Sequence, residues 1–368
     1  MARLGDIASV ITKGTTPTSV GFDFADDGIN FIKIESISET GEFIPEKFAH
    51  IDSACHEKLK RSQLAENDIL FSIAGAIGRT AIVNKNILPA NTNQALAIIR
   101  IPSGIVDYSF LDYVLQSPAL LEQFESQKQG VAQLNLSLKN IGDLIIPDFS
   151  LEKQRSIATV LDKVSALIAL RKQQLAKLDE LVKSRFIELF GNPETNPRGL
   201  PELLWRDVFL TTTGKLDSNA MVDGGQYPFF TCAKESFRID TYAFDCEALL
   251  LAGNNAAGVY DVKHYKGKFN AYQRTYVLRL VNEQWSYILF KQQLEDKLLY
   301  LQSRSKGTNT RYLTLGILNE LRFIVPSIDE QNQFAAFVEQ VDKSKLTIQQ
   351  GLDKLETLKK SLMQEYFG

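Results

Sequence analysis

The 368-residue chain is poor in the residues that build covalent or metal-held scaffolds. It has three cysteines, Cys55, Cys232 and Cys246, an odd and widely spaced set. That excludes a disulfide framework and suits a reducing cytoplasm. The three histidines, His50, His56 and His264, stand at no spacing typical of metal ligands, so no metal site is expected. Uninterrupted apolar runs never reach the ~18 residues a membrane span needs, and the first 14 residues lack the apolar stretch of a signal peptide. The expectation is a soluble, cytoplasmic protein with no membrane partner.

Catalytic signatures are missing too. No segment reads as a phosphate-binding loop, a dinucleotide glycine fingerprint or an H-E-x-x-H zinc motif. The Asn-Pro-Pro-aromatic signature that adenine methyl transfer would need is absent, and no Ser/His/Asp set suggests itself. The expected list of catalytic residues is empty, and no cofactor is expected on this chain.

What is present is a globular composition, 44% hydrophobic with 22 Phe and 12 Tyr, on a chain too long for one core. Net charge is −3, unevenly spread. Residues 1–150 hold 12 basic against 18 acidic side chains, a net of −6, whereas 151–199 carry +3, 200–326 carry +2 and 327–368 carry −2. A nucleic-acid surface must therefore be a local patch rather than a whole face.

The chain also repeats itself. Gln154 aligns with Gln331, and the following positions match without a gap until Gly191 meets Gly368, with 13 identities in 38 positions. Upstream the likeness weakens but keeps its order. LGDIASVITKG (4–14) resembles WRDVFLTTTG (205–214), NDILFSIAG (67–75) resembles CEALLLAG (246–253), and TNQALAIIRI (92–101) resembles AYQRTYVLRL (271–280). Two copies are too few for a solenoid.

Each repeated segment carries a 3,4 apolar alternation, the mark of a helix with a coiled-coil seam. In the first copy the seam runs through Ile157, Leu161, Val164, Ile168, Arg171, Leu175 and Leu178, continuing to Val182, Arg185 and Leu189. In the second it runs through Phe334, Val338, Val341, Lys345, Ile348, Leu352 and Leu355, continuing to Lys359, Leu362 and Tyr366. Ser150 and the acidic pair Asp329–Glu330 mark helix starts, and Gly191 with Pro193 marks a stop. A helix over 152–190 is about 58 Å long at 1.5 Å per residue. If the second helix buries its seam on the first, the pair must be antiparallel.

The expected fold is α+β: two mixed α/β heads joined by two long antiparallel coiled-coil helices, with an internal pseudo-two-fold axis. The boundaries are 1–150 for the first head, 151–191 for the first helix, 192–326 for the second head and 327–368 for the second helix. Within the heads, INFIKIESI (29–37), DILFSI, LAIIRI, EALLLA and TYVLRL read as strands, while LDYVLQSPALLEQF and WSYILFKQQLEDKLLYLQ read as helices.

The chemistry left to the heads is that of polar, glycine-punctuated loops. Lys and Arg there can neutralise phosphates, and Asn, Gln and Arg carry the donor and acceptor pairs that read base edges. In the first head the candidates are Lys13, Thr15, Thr16, Arg79, Asn91, Asn93, Gln94, Gln133 and Asn135. In the second they are Lys215, Asn254, Asn255, Lys268, Tyr272, Gln273, Arg274, Arg304, Lys306, Asn309, Arg311 and Tyr312.

Taken together, the order of head, helix, head, helix and its twice-written join resemble a known family. The join reads GVAQLNLSLKNIGDLIIPDFSLEKQRSIATVLDKV (130–164) and GTNTRYLTLGILNELRFIVPSIDEQNQFAAFVEQV (307–341). A glycine, a polar loop, a Leu-x-Leu, an Ile-Pro or Val-Pro strand and an acidic residue before Gln recur in both. This is similar to the specificity subunit of type I restriction-modification systems, and Gly14 to Pro17 fits it as well. Residues 214–217 depart from it, which makes that loop a less secure contact. The resemblance implies a target-recognition domain in each head, each reading half of a split asymmetric site on double-stranded DNA. It also implies that the long helices bind two methyltransferase subunits and that the complex includes restriction (motor) subunits. S-adenosylmethionine, ATP and Mg would then belong to those partners, not to this chain. A coiled-coil scaffold with two protein-binding heads stays open beside it; steep loss of affinity with salt would mark DNA binding.

Overall fold

The computed structural model describes residues 2–126, 136–256 and 258–368. Contacts divide the chain into two units: 1–172 with 351–368, and 173–350. Each unit therefore holds a head together with half of each long helix.

The first unit is closed by Ala2–Arg3, which pairs antiparallel with Ile145–Ile146, just ahead of the first long helix. The buried Leu4 follows at once, its N–H bonded to the Leu144 carbonyl at 2.9 Å. A four-stranded antiparallel sheet runs in the order Val10–Lys13, Leu96–Arg100, Ile69–Ser72, Thr80–Ile82. A second, three-stranded sheet sets Ile29–Ile32 between Ala49–Ile51 and Ala90–Thr92. Ile69, Phe71, Ala97 and Ile99 are buried on one face of the larger sheet, against Phe110, Leu111 and Val114 of the helix Tyr108–Leu115. Alternate residues Leu70, Ile98 and Leu96 bury the other face with Ile32 and Val83. Both faces are covered, which is why these strands read as near-continuous apolar runs. The run 29–37 is a strand only to Ile32; Ile34–Ser36 forms a 3₁₀ turn, because the Ser36 hydroxyl bonds the Lys33 N–H and the Lys47 carbonyl.

The second unit repeats this plan in one sheet. Its closing pair is Glu202–Leu204 against Arg322–Ile324, followed by the buried Trp205, whose N–H bonds the Leu321 carbonyl at 3.0 Å. Six strands follow in the order Phe209–Thr213, Thr275–Leu280, Phe244–Ala252, Val262–Ala271, Tyr227–Phe230, Phe237–Ile239. The unbroken ten-residue strand Val262–Ala271 fuses what the first head keeps as two sheets, since there the corresponding stretch is divided into Thr80–Ile82 and Ala90–Thr92.

The long helices are Leu151–Phe190 and Ile328–Phe367, 40 residues each. Ser150 caps the first through Lys153 N–H at 3.3 Å, and Ser327 with Glu330 forms a reciprocal capping box on the second. Gly191, with φ of 76°, ends the first. Within the first unit Ile157 and Leu161 share a core with Met363 and Phe367, and Lys172 pairs with Glu356 at 3.0 Å. Within the second, Phe186 and Phe190 pack on Phe334, and Lys345 meets Asp179 at 2.6 Å. Rising numbers on one helix meet falling numbers on the other, so the pairing is antiparallel.

Of the expected seam, Ile157, Leu161, Val164, Ile168, Phe334, Val341 and Leu352 are buried, while Leu175, Leu178, Val338 and Leu355 are half-buried. Toward the helix ends the seam moves one residue on: Phe186 and Phe190 replace Arg185 and Leu189, and Met363 and Phe367 replace Leu362 and Tyr366. A helix of 3.6 residues per turn drifts from a strict 3.5 repeat, and Phe186, Phe190, Met363 and Phe367 take up the drift.

The repeated glutamine has the same task in both units. Gln154 accepts from the Asp107 N–H (2.9 Å) and donates to the Phe149 carbonyl (2.8 Å). Gln331 accepts from the Ser286 N–H (3.0 Å) and donates to the Pro326 carbonyl (2.9 Å). Asp107 and Ser286 are the N-caps of the head helices Tyr108–Leu115 and Tyr287–Asp296. Each glutamine thus ties its long helix to the first turn of a head helix.

Candidate nucleic-acid interface

In both heads the candidate loops meet where two chain segments cross. A methyl group at Gly14 would collide with the carbonyls of Thr92 and Asn93, and one at Gly214 with those of Ala271 and Tyr272. Only glycine permits these approaches, and each sets a loop beside its partner loop.

In the first head the crossing is fixed by the Thr15 N–H on the Thr92 carbonyl at 3.1 Å. The Thr16 hydroxyl donates to the Gln94 side-chain carbonyl, and Asn93 Oδ1 accepts from the Ala95 N–H at 3.1 Å. Lys13 and Gln94 are exposed. Thus Lys13, Thr15, Thr16, Asn93 and Gln94 form one group. Two others do not join it. Asn91 is fully buried, its amide donating to the Leu59 carbonyl at 3.1 Å, so it supports the loop and has no edge to offer a base. Arg79 donates to the Ile37 carbonyl at 2.9 Å and, more loosely, to that of Ile34. Half-buried, its guanidinium staples a turn through Nη1. Gln133 and Asn135 lie outside the described residues.

The second head gathers more. Tyr272 bridges to Leu216, and the Gln273 N–H bonds the Leu216 carbonyl at 2.9 Å, setting Lys215 beside Gln273 and Arg274. The Gly253 N–H bonds the Arg274 carbonyl at 2.9 Å, which brings Asn254 and Asn255 alongside. These two pair as a short ladder with Tyr312 and Arg311. Lys306 and Tyr312 exchange backbone bonds of 3.0 and 2.8 Å, closing the turn that exposes Asn309. Arg311 donates to the Gln302 carbonyl at 3.3 Å and stays exposed. Lys268 stands apart, its ammonium 4.7 Å from the Tyr242 ring centre, and Arg304 faces Glu320 at 3.4 Å.

Sequence reasoning passed over Lys60 and Arg61, both exposed in a 3₁₀ turn beside the first crossing. The signal was there: a KLKR run inside an acidic head. A separate cavity of about 460 Å³ lies where the head helix meets the long helices of the first unit, lined by Asp112, Tyr113, Lys172 and Lys359. Burial pushes the Asp112 carboxyl up to about 6, against smaller opposing pulls from Thr80 and Lys359. Its Oδ2 accepts from Gln116 at 2.7 Å; Oδ1 is buried with no hydrogen bond of good geometry.

On the long helices, Val160, Leu167, Leu170, Leu181, Ile187, Leu346 and Leu358 remain exposed after the seam is filled. Among the described residues no cluster of three His, Cys, Asp or Glu could hold a metal, and no helix is long and apolar enough to cross a membrane.

The family model described as "Type I restriction modification DNA specificity domain" matches residues 1–180 and again 205–359. The EcoDI specificity subunit of Escherichia coli is 37% identical over 157 residues, which is 40% of this chain and 34% of that protein. The match thus spans about a third of that relative's length. The EcoprrI specificity subunit, also from Escherichia coli, is 23% identical over 352 residues, 90% of this chain and 85% of that one. Among solved structures, the S subunit of a type I restriction-modification system from M. genitalium is similar in fold, with a TM-score of 0.63 at 15% identity, covering 100% of this chain and 95% of that one. With two copies of the specificity domain across most of its length, the chain belongs to the type I restriction-modification DNA specificity family.

Proposed function

We propose that this chain is the non-catalytic subunit that selects DNA for a type I restriction-modification complex, each head reading one half of a split asymmetric site. The observation that carries the reading is the pair of glycine crossings, built alike and carrying unlike side chains: Lys13, Thr16, Asn93 and Gln94 at one, Lys215, Tyr272, Gln273 and Arg274 at the other. A shared scaffold with different polar edges is what two readers of different bases require. The paired long helices space the two half-sites. Their exposed apolar residues are where two methyltransferase subunits dock, with restriction (motor) subunits joining the assembly. Methyl transfer from S-adenosylmethionine and ATP- and Mg-dependent work belong to those partners.

The test is a map of methylated adenines in cells that carry the complex, with wild-type chain or with Arg274→Ala. Arg274 is expected to supply about 1 to 3 kcal/mol of discrimination at one position. The variant should therefore relax one base of one half-site and leave the other half-site unchanged. A map identical in cells with and without this chain would end the reading.

A further inference from the structure

We infer that the cleft at the root of the first head's crossing loops is a seat for the sugar-phosphate backbone of duplex DNA, with Arg61 and Lys60 as its phosphate ligands. The inference rests on the DNA-binding reading above and adds a site to it. The cleft has a volume of about 330 Å³ and is lined by Lys60, Arg61, Arg100, Thr12, Val10 and Ile98, together with Gln63. None of these is acidic, although residues 1–150 carry a net charge of −6. An acidic head repels a polyanion at a distance, so its affinity must come from a place where cations stand clear of carboxylates.

The two cations at the mouth are free to serve. Arg100 is not: it makes a double ion pair with the buried Asp68, at 2.6 and 2.7 Å, and forms a neutral floor. Arg61 donates to the Thr12 hydroxyl at 3.2 Å, which aims the guanidinium across the opening. Neither Arg61 nor Lys60 has an ion-pair partner among the described residues. Val10 and Ile98 add an apolar wall of the kind a deoxyribose ring can lie against.

The position is as telling as the charge. Thr12 leads directly into Lys13, Gly14, Thr15 and Thr16. Gln63 bridges to Asn91, which leads into Asn93 and Gln94. Both arms of the crossing therefore start at the cleft, and a strand whose bases meet Asn93 and Gln94 passes its backbone by Arg61.

The experiment uses the chain assembled with its methyltransferase subunits, and measures the affinity for a duplex carrying the recognised site and for one lacking it, over a series of salt concentrations. Arg61→Gln keeps a donor for Thr12 while removing the charge, and Lys60→Gln does the same for its neighbour. Each should weaken both duplexes by the same factor and lower the slope of log affinity against log salt by about one. An unchanged slope with DNA binding intact overturns the inference. Loss confined to the specific duplex also overturns it, by moving Arg61 to base reading. If inorganic phosphate raised the melting temperature of wild type but not of Arg61→Gln while DNA affinity stayed level, the cleft would be a free-anion site and the proposal wrong. If the wild-type assembly binds no DNA, it is the proposed function that fails.

Discussion

Asp112 offers a direct test of how the first head is seated on its helices. Its carboxyl is held at about 6, above the 3.8 of an unperturbed aspartate, chiefly because burial disfavours the charge. A raised carboxylate binds its proton more tightly in the folded state. Below pH ~4 both states are protonated and the residue costs nothing. Between pH ~4 and ~6 only the folded state keeps the proton, so a penalty grows, and above ~6 it stays at full size. Two pH units correspond to about 3 kcal/mol. Asp112→Asn keeps the shape, keeps an acceptor for Gln116, and puts an amide where Oδ1 has no good partner, within reach of the Thr80 hydroxyl. The rise to about 6 already includes the attraction to Lys359, so the expected gain at pH 7.5 is about 2 to 3 kcal/mol, shrinking toward zero near pH 4. Urea unfolding of wild type and variant at pH 4, 5, 6 and 7.5 measures it. A variant less stable by more than about 1 kcal/mol at pH 7.5, with the gap narrowing toward pH 4, would show that Asp112 is held as an ion pair with Lys359; a difference indifferent to pH would show that burial does not shift its carboxyl.

Two further outcomes are expected. Gln154→Leu and Gln331→Leu each leave a backbone N–H and a carbonyl, half-buried except for the buried Pro326 carbonyl, without their partner, and each should cost about 1 to 3 kcal/mol in urea unfolding. The two should add, because the clamps share no neighbour; a loss under 1 kcal/mol would refute the clamp. Inserting one heptad at paired positions in both long helices adds about 10 Å, so the methylated halves of the site should move apart by about three base pairs with their bases unchanged. Altered bases at constant spacing would dispose of the ruler.

The long helices were legible because the evidence for them is written twice and is local. Caps, a 3,4 apolar stripe and a terminal glycine all act within a few residues, and both helices run within one residue of the expected 152–190 and its repeat. The strands 69–72, 96–100 and 275–280 were legible for a related reason: sheets buried on both faces need continuous apolar runs. The turn at Ile34–Ser36 was not, since what breaks the strand is the Ser36 hydroxyl reaching Lys47, eleven residues on.

The interface divides along the same line. The candidates next to Gly14 and Gly214 come together because glycine at those points allows a close approach of backbones. Asn91 and Arg79 could not be told from them, for a polar side chain in a polar loop looks the same whether it serves solvent or props up a neighbour. What separates the two is the partner, and the partners here are carbonyls 32 and 42 residues away. Arg61, the proposed phosphate ligand, was passed over for the same reason: its link to Thr12 spans 49 residues. A binding surface made of loops is assembled by the sheet beneath it. The residues that touch the ligand are therefore settled by strand order, while composition settles only which side chains are available.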